Sequence, residues 1–174
     1  MSAKATLTEL NAADRDAFVS MVGSVFEHSP WIAEVTWLKR PFDGLDELHR
    51  MLCDAVRRAG EEKQLELICA HPDLVGRAAL AGTLTSSSTA EQSSAGLDKL
   101  RSNEVTTFQR YNQAYRERFG FPFVICARLN KKEAMLKAFP IRLQNSRAQE
   151  IKVALEEIYK IAYFRLQDIV AAER

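Results

Sequence analysis

What most constrains the fold of this chain is its punctuation. Apolar residues recur at helical spacing over most of its length, and nearly every such run is bounded by a cap or a stop. Asn11 can cap a helix whose third position is Asp14, after which Phe18, Val19, Val22, Val25 and Phe26 form one stripe. Ser29-Pro30 restarts the chain, Pro30 suiting a first helical position, and Pro41 closes that short segment. Asp43 opens the next helix, with Leu45, Leu48, Met51, Leu52, Ala55 and Val56 inward and Gly60 as the stop. A further helix over 61–70 runs into His71-Pro72. A residue before proline is pushed out of helical geometry, so His71 is expected at or just past a helix end.

From Arg77 to Thr89 the residues turn small and polar, which reads as a loop too short to link domains. Ser88-Thr89-Ala90-Glu91 matches the capping-box pattern and is expected to start a helix. A second long helix begins near Asn103, carries Phe108, Tyr111, Tyr115 and Phe119, and stops at Gly120. The stretch from Phe121 through Pro122 to Ala127 reads as extended and buried. It has no evident partner strand, so a single extended crossing is expected rather than a sheet. Asn130 with Glu133 caps another helix, ending at Pro140. Ser146 with Gln149 caps the last, which turns Ile151, Ala154, Leu155, Ile158, Ala162, Leu166 and Ile169 inward. The expected fold is all-α: a single compact multi-helix domain over residues 1–174 with one short extended buried segment near 121–127.

Composition narrows the function classes. With 174 residues, 47% of them hydrophobic, the chain can build a sizeable core. Its charges nearly cancel at net +1 and the basic residues are interleaved with acids, as in Arg57-Arg58-Ala59-Gly60-Glu61-Glu62. That pattern argues against a nucleic-acid or anionic-lipid surface. No apolar run approaches the roughly 20 residues a membrane span needs. The start, Met1-Ser2-Ala3-Lys4, lacks the apolar core of a secretory signal, and Ala171-Ala172-Glu173-Arg174 is no peroxisomal tripeptide. Cys53, Cys69 and Cys126 are odd in number and dispersed, a poor disulfide framework. A cytoplasmic protein is expected.

The candidate chemistry starts from three histidines, His28, His49 and His71, none close enough in sequence to another for a short metal-ligand spacing. P-loop, dinucleotide-binding and nucleophile-elbow signatures are absent. His49 sits between core positions of a strong helix and reads as a boundary histidine, and His28 lies at a helix joint where a structural role is open. His71 leaves an apolar helix into irregular chain, held by the proline behind it. An imidazole there suits proton transfer near neutrality, or it complements a helix C-terminus. Glu91 either bonds back to the Ser88 cap or, with Ser88 and Gln92, offers polar groups to an anionic or amide-rich ligand. Arg165, flanked by apolar residues on the final helix, is a surface residue or a carboxylate clamp.

Four segments together carry a resemblance: Phe26-Glu27-His28-Ser29-Pro30-Trp31, Ala70-His71-Pro72-Asp73-Leu74, Ser88-Thr89-Ala90-Glu91-Gln92, and Phe121-Pro122-Phe123-Val124-Ile125-Cys126. In this order and spacing, from about Leu7 to the final helix, the chain resembles the OHCU decarboxylase family. That family acts on 2-oxo-4-hydroxy-4-carboxy-5-ureidoimidazoline (OHCU) and yields (S)-allantoin, the last step of urate oxidation. The resemblance implies an all-α fold, no metal and no organic cofactor, and a homodimer. It gives His71 the proton-donor role; on chemical grounds Glu91 is expected to share the catalysis, orienting or charging the imidazole or holding the substrate hydroxyl. It gives substrate-binding positions to Pro72, Ser88, Thr89, Ala90, Glu91, Gln92, Phe123, Val124, Ile125, Cys126 and Ala127. Arg165 matches the family's arginine on the last helix. Two rival readings stand beside it: a metal-assisted hydrolase of ureides or cyclic amides using His71 and dispersed carboxylates, and a non-catalytic helical module binding a purine breakdown product or a partner protein.

Overall fold

In the computed structural model, residues 4–171 are described, so the readings of Met1-Ser2-Ala3 and of Ala172-Glu173-Arg174 lie outside the described residues. Among the described residues the chain forms ten α-helices and two 3-10 turns, with no strand beyond a single bridge between Ala5 and Val170. The all-α expectation holds. The helices fall into two compact units, one built from the chain up to Ala70 together with the stretch from Ala162 onward, the other from His71 to Ile161.

The first unit holds α1 (Leu7–Ala12), α2 (Arg15–Val22), α3 (Trp31–Thr36), α4 (Leu45–Arg58), α5 (Gly60–Ala70) and the last turns of α10 (Arg147–Ile169). Its start corrects the sequence reading. Thr6 and Glu9 form a reciprocal capping box that opens α1, and Asp14, not Asn11, caps α2 through a 2.8 Å bond from the Ala17 amide. Asn11 lies inside α1, where its amide both donates to and accepts from the Phe42 backbone. Both capping patterns satisfy orphan amides, and the Thr-x-x-Glu pair supplies two bonds where Asn11 would supply one. Gly44 rather than Asp43 is the N-cap of α4, and the Glu47 carboxylate accepts from the Asp43 amide. Leu48, Leu52 and Val56 of α4 are fully buried, as their spacing requires, and Phe18 stacks on Phe42 at 6.0 Å.

The second unit holds α6 (Arg77–Leu80), α7 (Ser86–Ser94), α8 (Ser102–Phe119), α9 (Lys132–Arg142) and the first turns of α10. The stretch 77–89 is thus not all loop. A one-turn helix forms over α6, and Thr85, not Ser88, caps α7 by accepting from the Ser88 amide at 3.2 Å. All five residues from Thr85 to Thr89 have capping chemistry. Starting at Thr85 adds a turn and puts Ser88, Glu91, Gln92 and Ala95 on one buried face. Gly120, at φ 81°, stops α8 in the left-handed conformation expected of it. Pro140 does not end α9. In the last turn it forgoes one backbone bond and the helix continues to Arg142. Ser146 and Gln149 exchange the two bonds of a capping box at the start of α10, as the sequence predicts. Residues 122–126 run without regular structure and are buried throughout. Phe123 stacks on Phe139 at 3.8 Å and meets the Tyr115 ring edge-on at 5.3 Å, anchoring this extended crossing in the unit's core.

Candidate active-site cleft

The second unit contains a narrow cleft lined by three pieces of chain: the segment after α5, the inward face of α7, and the extended crossing. His71, Pro72 and Leu74 come from the first, Ser88, Glu91 and Gln92 from the second, Phe123, Val124, Ile125 and Ala127 from the third, with Ile161 of α10 completing the wall. His71 is the first residue after α5, as the following proline demands. Four polar side chains here are nearly lost to solvent: His71 at 6% exposure, Ser88 at 4%, Glu91 at 7% and Gln92 at 8%. Buried polar groups are the informative exception in a protein interior, and four converging on one cleft mark it as built for polar recognition. The first unit has two roomier hollows, about 490 and 440 Å³ against about 30 Å³ for the cleft, but their charged groups stand half or fully in solvent. A space of the cleft's size takes little more than water, so a larger ligand must part its walls.

Each wall is held by Gln92 or by residues that the sequence reading did not place at the site. The segment 71–76 is tied to α7 by the Gln92 amide, which accepts from the Val75 N–H at 3.2 Å and donates to the Asp73 carbonyl at 3.3 Å. It is tied to α8 by Asn112, donating to the Leu74 carbonyl at 2.7 Å, and by Arg116, whose Nε reaches both Asp73 carboxylate oxygens at 3.0 and 3.1 Å. The crossing is held through its backbone. Arg142 donates to the Val124 carbonyl at 2.6 Å, Glu157 accepts from the Cys126 amide at 2.8 Å, and Asn130 donates to the Cys126 carbonyl at 3.0 Å. Arg142 also stands 4.1 Å over the Phe123 ring and pairs with the fully buried Glu150, which accepts from Tyr115 and Asn145 as well. Burial, and then the bond to Glu150, push the Tyr115 phenol well above its ordinary range, so it remains a donor.

Of the residues expected at the site, His71, Pro72, Ser88, Glu91, Gln92, Phe123, Val124, Ile125 and Ala127 line the cleft together. Thr89 and Ala90 lie on the exposed side of α7. Cys126 is buried beside the lining, its amide on Glu157 and its thiol pushed up by burial. Arg165 belongs to the first unit, where its buried guanidinium pairs with buried Glu27 at 2.8 Å. Glu91 is not the partner of a Ser88 cap, because α7 is capped at Thr85, three residues before Ser88. His49 lies 3.4 Å from the Cys53 thiol and edge-on to Tyr163, and His28 is exposed with a left-handed backbone at φ 47°. Among the described residues, no group of three or more His, Cys, Asp or Glu is gathered to hold a metal, and no helix is long and apolar enough to cross a membrane.

Comparison with known proteins connects this chain to one group of enzymes. The OHCU decarboxylase family model matches residues 11–167. The chain is 44% identical to the 2-oxo-4-hydroxy-4-carboxy-5-ureidoimidazoline decarboxylase of Haloferax volcanii, over 97% of this chain and 98% of that protein. It is 41% identical to the protein of the same description from Halalkalicoccus jeotgali, over 94% of this chain and 91% of that one. Among solved structures it is similar to the crystal structure of (S)-allantoin synthase, with a TM-score of 0.74 and 28% identity over 95% of this chain and 54% of that chain.

Proposed function

The chain belongs to the OHCU decarboxylase family, carboxy-lyases of urate degradation, and we propose that it converts 2-oxo-4-hydroxy-4-carboxy-5-ureidoimidazoline to (S)-allantoin with His71 as the proton donor. One observation carries the assignment of roles: buried His71, Ser88, Glu91 and Gln92 share a cleft with the extended crossing. In the reaction the bond from ring carbon 4 to the carboxyl carbon breaks and carbon dioxide leaves. Its electron pair moves toward carbon 5 as the adjacent C=N pair withdraws onto nitrogen. Protonation of that ring nitrogen and of carbon 5, with loss of the carbon-4 hydroxyl proton, then gives the carbonyl of allantoin, with a net uptake of one proton. The substrate supplies its own electron sink, so the reaction proceeds without an organic cofactor.

The protein's task is to orient the carboxylate and deliver a proton to one face of the ring. His71 performs the transfer, and Glu91, freed from any capping duty at Ser88, orients the imidazole or holds the substrate hydroxyl. Ser88 and the backbone of Phe123, Val124, Ile125, Cys126 and Ala127 read the ureido and ring amide edges. Arg165 is kept as a balance to substrate charge on its match to the family's arginine alone, its Nη1 being engaged by Glu27. Residues 1–174 act as one functional domain, since the matched stretch takes in parts of both units. A cytoplasmic homodimer is the working form on family membership alone.

The test is to follow optical rotation as freshly generated substrate decays, because the uncatalysed reaction gives racemic allantoin. His71→Ala is expected to lower kcat by about 10²–10⁴-fold, the usual worth of general acid–base catalysis. Stereospecific turnover near the wild-type rate would overturn the assignment. Glu91→Gln is expected to lower turnover with little change in Tm. Lost stability with intact turnover would instead make Glu91 a packing residue.

A further inference from the structure

The short segment that begins with His71 is strained and is held at three consecutive residues. Val75 is buried and sits at φ 52°, in the left-handed region. A β-branched side chain is a genuine outlier there, and such strain persists only where the surroundings over-determine it. The segment also folds back on itself: a Cβ at Gly76 would meet the Asp73 Cβ at 2.7 Å, so only glycine fits. Gln92 takes both the Val75 amide and the Asp73 carbonyl, Arg116 takes the Asp73 carboxylate, and Asn112, one turn earlier on α8, takes the Leu74 carbonyl at 2.7 Å.

Asn112 is the informative member of this set. It interrupts an aromatic stripe on α8, lying between Phe108 and Tyr115 on the face that both bury, and is itself 6% exposed. Its Oδ1 is buried without a hydrogen-bond partner. A buried amide with half its capacity unused is costly, and an apolar residue would pack there without that cost. The half that is used fixes the Leu74–Val75 peptide, on whose other side Gln92 holds the Val75 N–H.

We propose that Asn112 is a positioning residue for His71: by clamping the Leu74 carbonyl against the strained turn at Val75, it fixes where the imidazole stands in the cleft. Gln92 then serves the segment as well as the lining, since both ends of its amide are engaged there. This rests on His71 being the proton donor, and the tests of the two statements are separable. The experiment compares wild type with Asn112→Leu, the shape-preserving Asn112→Asp and the double variant Asn112→Leu/Val75→Gly. It measures kcat, KM and Tm, and the imidazole resonances of His71, assigned with His71→Ala.

Both single variants are expected to shift the His71 resonances. They should lower kcat by about 10- to 100-fold, the effect of an ångström-scale misplacement, while KM changes less than about threefold. Glycine adopts the left-handed conformation freely, so the double variant should recover part of the lost kcat. If Asn112→Leu does not fold, Asn112→Asp decides alone. Folded variants with unmoved His71 resonances and kcat within about twofold of wild type would overturn the proposal. So would a loss of activity that merely follows Tm, without recovery in the double variant. Should His71→Ala prove fully active, the proton-donor reading fails, and the resonance shift still reports whether Asn112 places His71.

Discussion

The two walls of the cleft are held by different physics. The His71 wall rests on neutral hydrogen bonds from Gln92 and Asn112, one half-exposed ion pair and a strained turn. The other wall, the crossing at 122–126, is sunk in an aromatic core and fixed by a buried charge network running from Glu150 through Arg142 to the Val124 carbonyl. Buried charges resist displacement because every alternative leaves one of them unpaired in a medium of low dielectric. Neutral bonds to a six-residue turn are individually modest. For the proposed reaction the difference suits the walls to separate tasks. The rigid one would present backbone to the substrate at fixed positions, and the more lightly held one would carry His71 to the reacting carbon and yield when a ligand enters a cleft of about 30 Å³.

The largest effect expected from this contrast falls on the rigid wall. Glu150 is completely buried and accepts from Arg142 Nε at 2.9 Å, from Asn145 at 2.8 Å and from the Tyr115 hydroxyl. Glu150→Leu strands the Arg142 guanidinium, and breaking a buried pair from one side costs about 3–5 kcal/mol. Urea denaturation should show that loss, and Arg142→Met/Glu150→Leu should recover much of it, because removing both charges leaves none unpaired. A loss below about 1 kcal/mol for Glu150→Leu would mean that the aromatic stack, not the charge network, holds the crossing.

Much of this architecture was legible in the sequence, and the failures share a cause. Helix positions, the extended crossing and the emergence of His71 at a helix end follow from apolar period, capping chemistry and proline, all of them local rules. Where several residues offered the same local chemistry, competition decided. Asn11 lost to Thr6 and Asp14, and Ser88 lost to Thr85, which moved Glu91 from a cap to a buried face. The cleft's supports were harder to read because their partners are distant in sequence: Asn112 reaches back 38 residues to Leu74, and Cys126 forward 31 to Glu157. A signal was nonetheless present. Asn112 and Glu150 are polar residues on otherwise inward faces, and such an interruption marks a side chain with a specific partner.

The smallest expected effect belongs to the outermost tie of the His71 wall. Arg116 and Asp73 approach to 3.0 Å, but their side chains are 45% and 24% exposed, so water and salt weaken the pair. Arg116→Gln should therefore cost less than about 1 kcal/mol at low ionic strength, and the difference from wild type should shrink further in about 1 M salt. The Asn112 bond is buried and neutral, so its contribution should not depend on salt. Measuring both variants by urea denaturation at low and high salt separates the two ties on one segment. If the Arg116→Gln deficit survives high salt, the Asp73 end is held by geometry rather than by charge. The His71 wall would then be stiffer than the contrast with the crossing requires, and the parting needed to admit substrate would have to come from the side chains of α7.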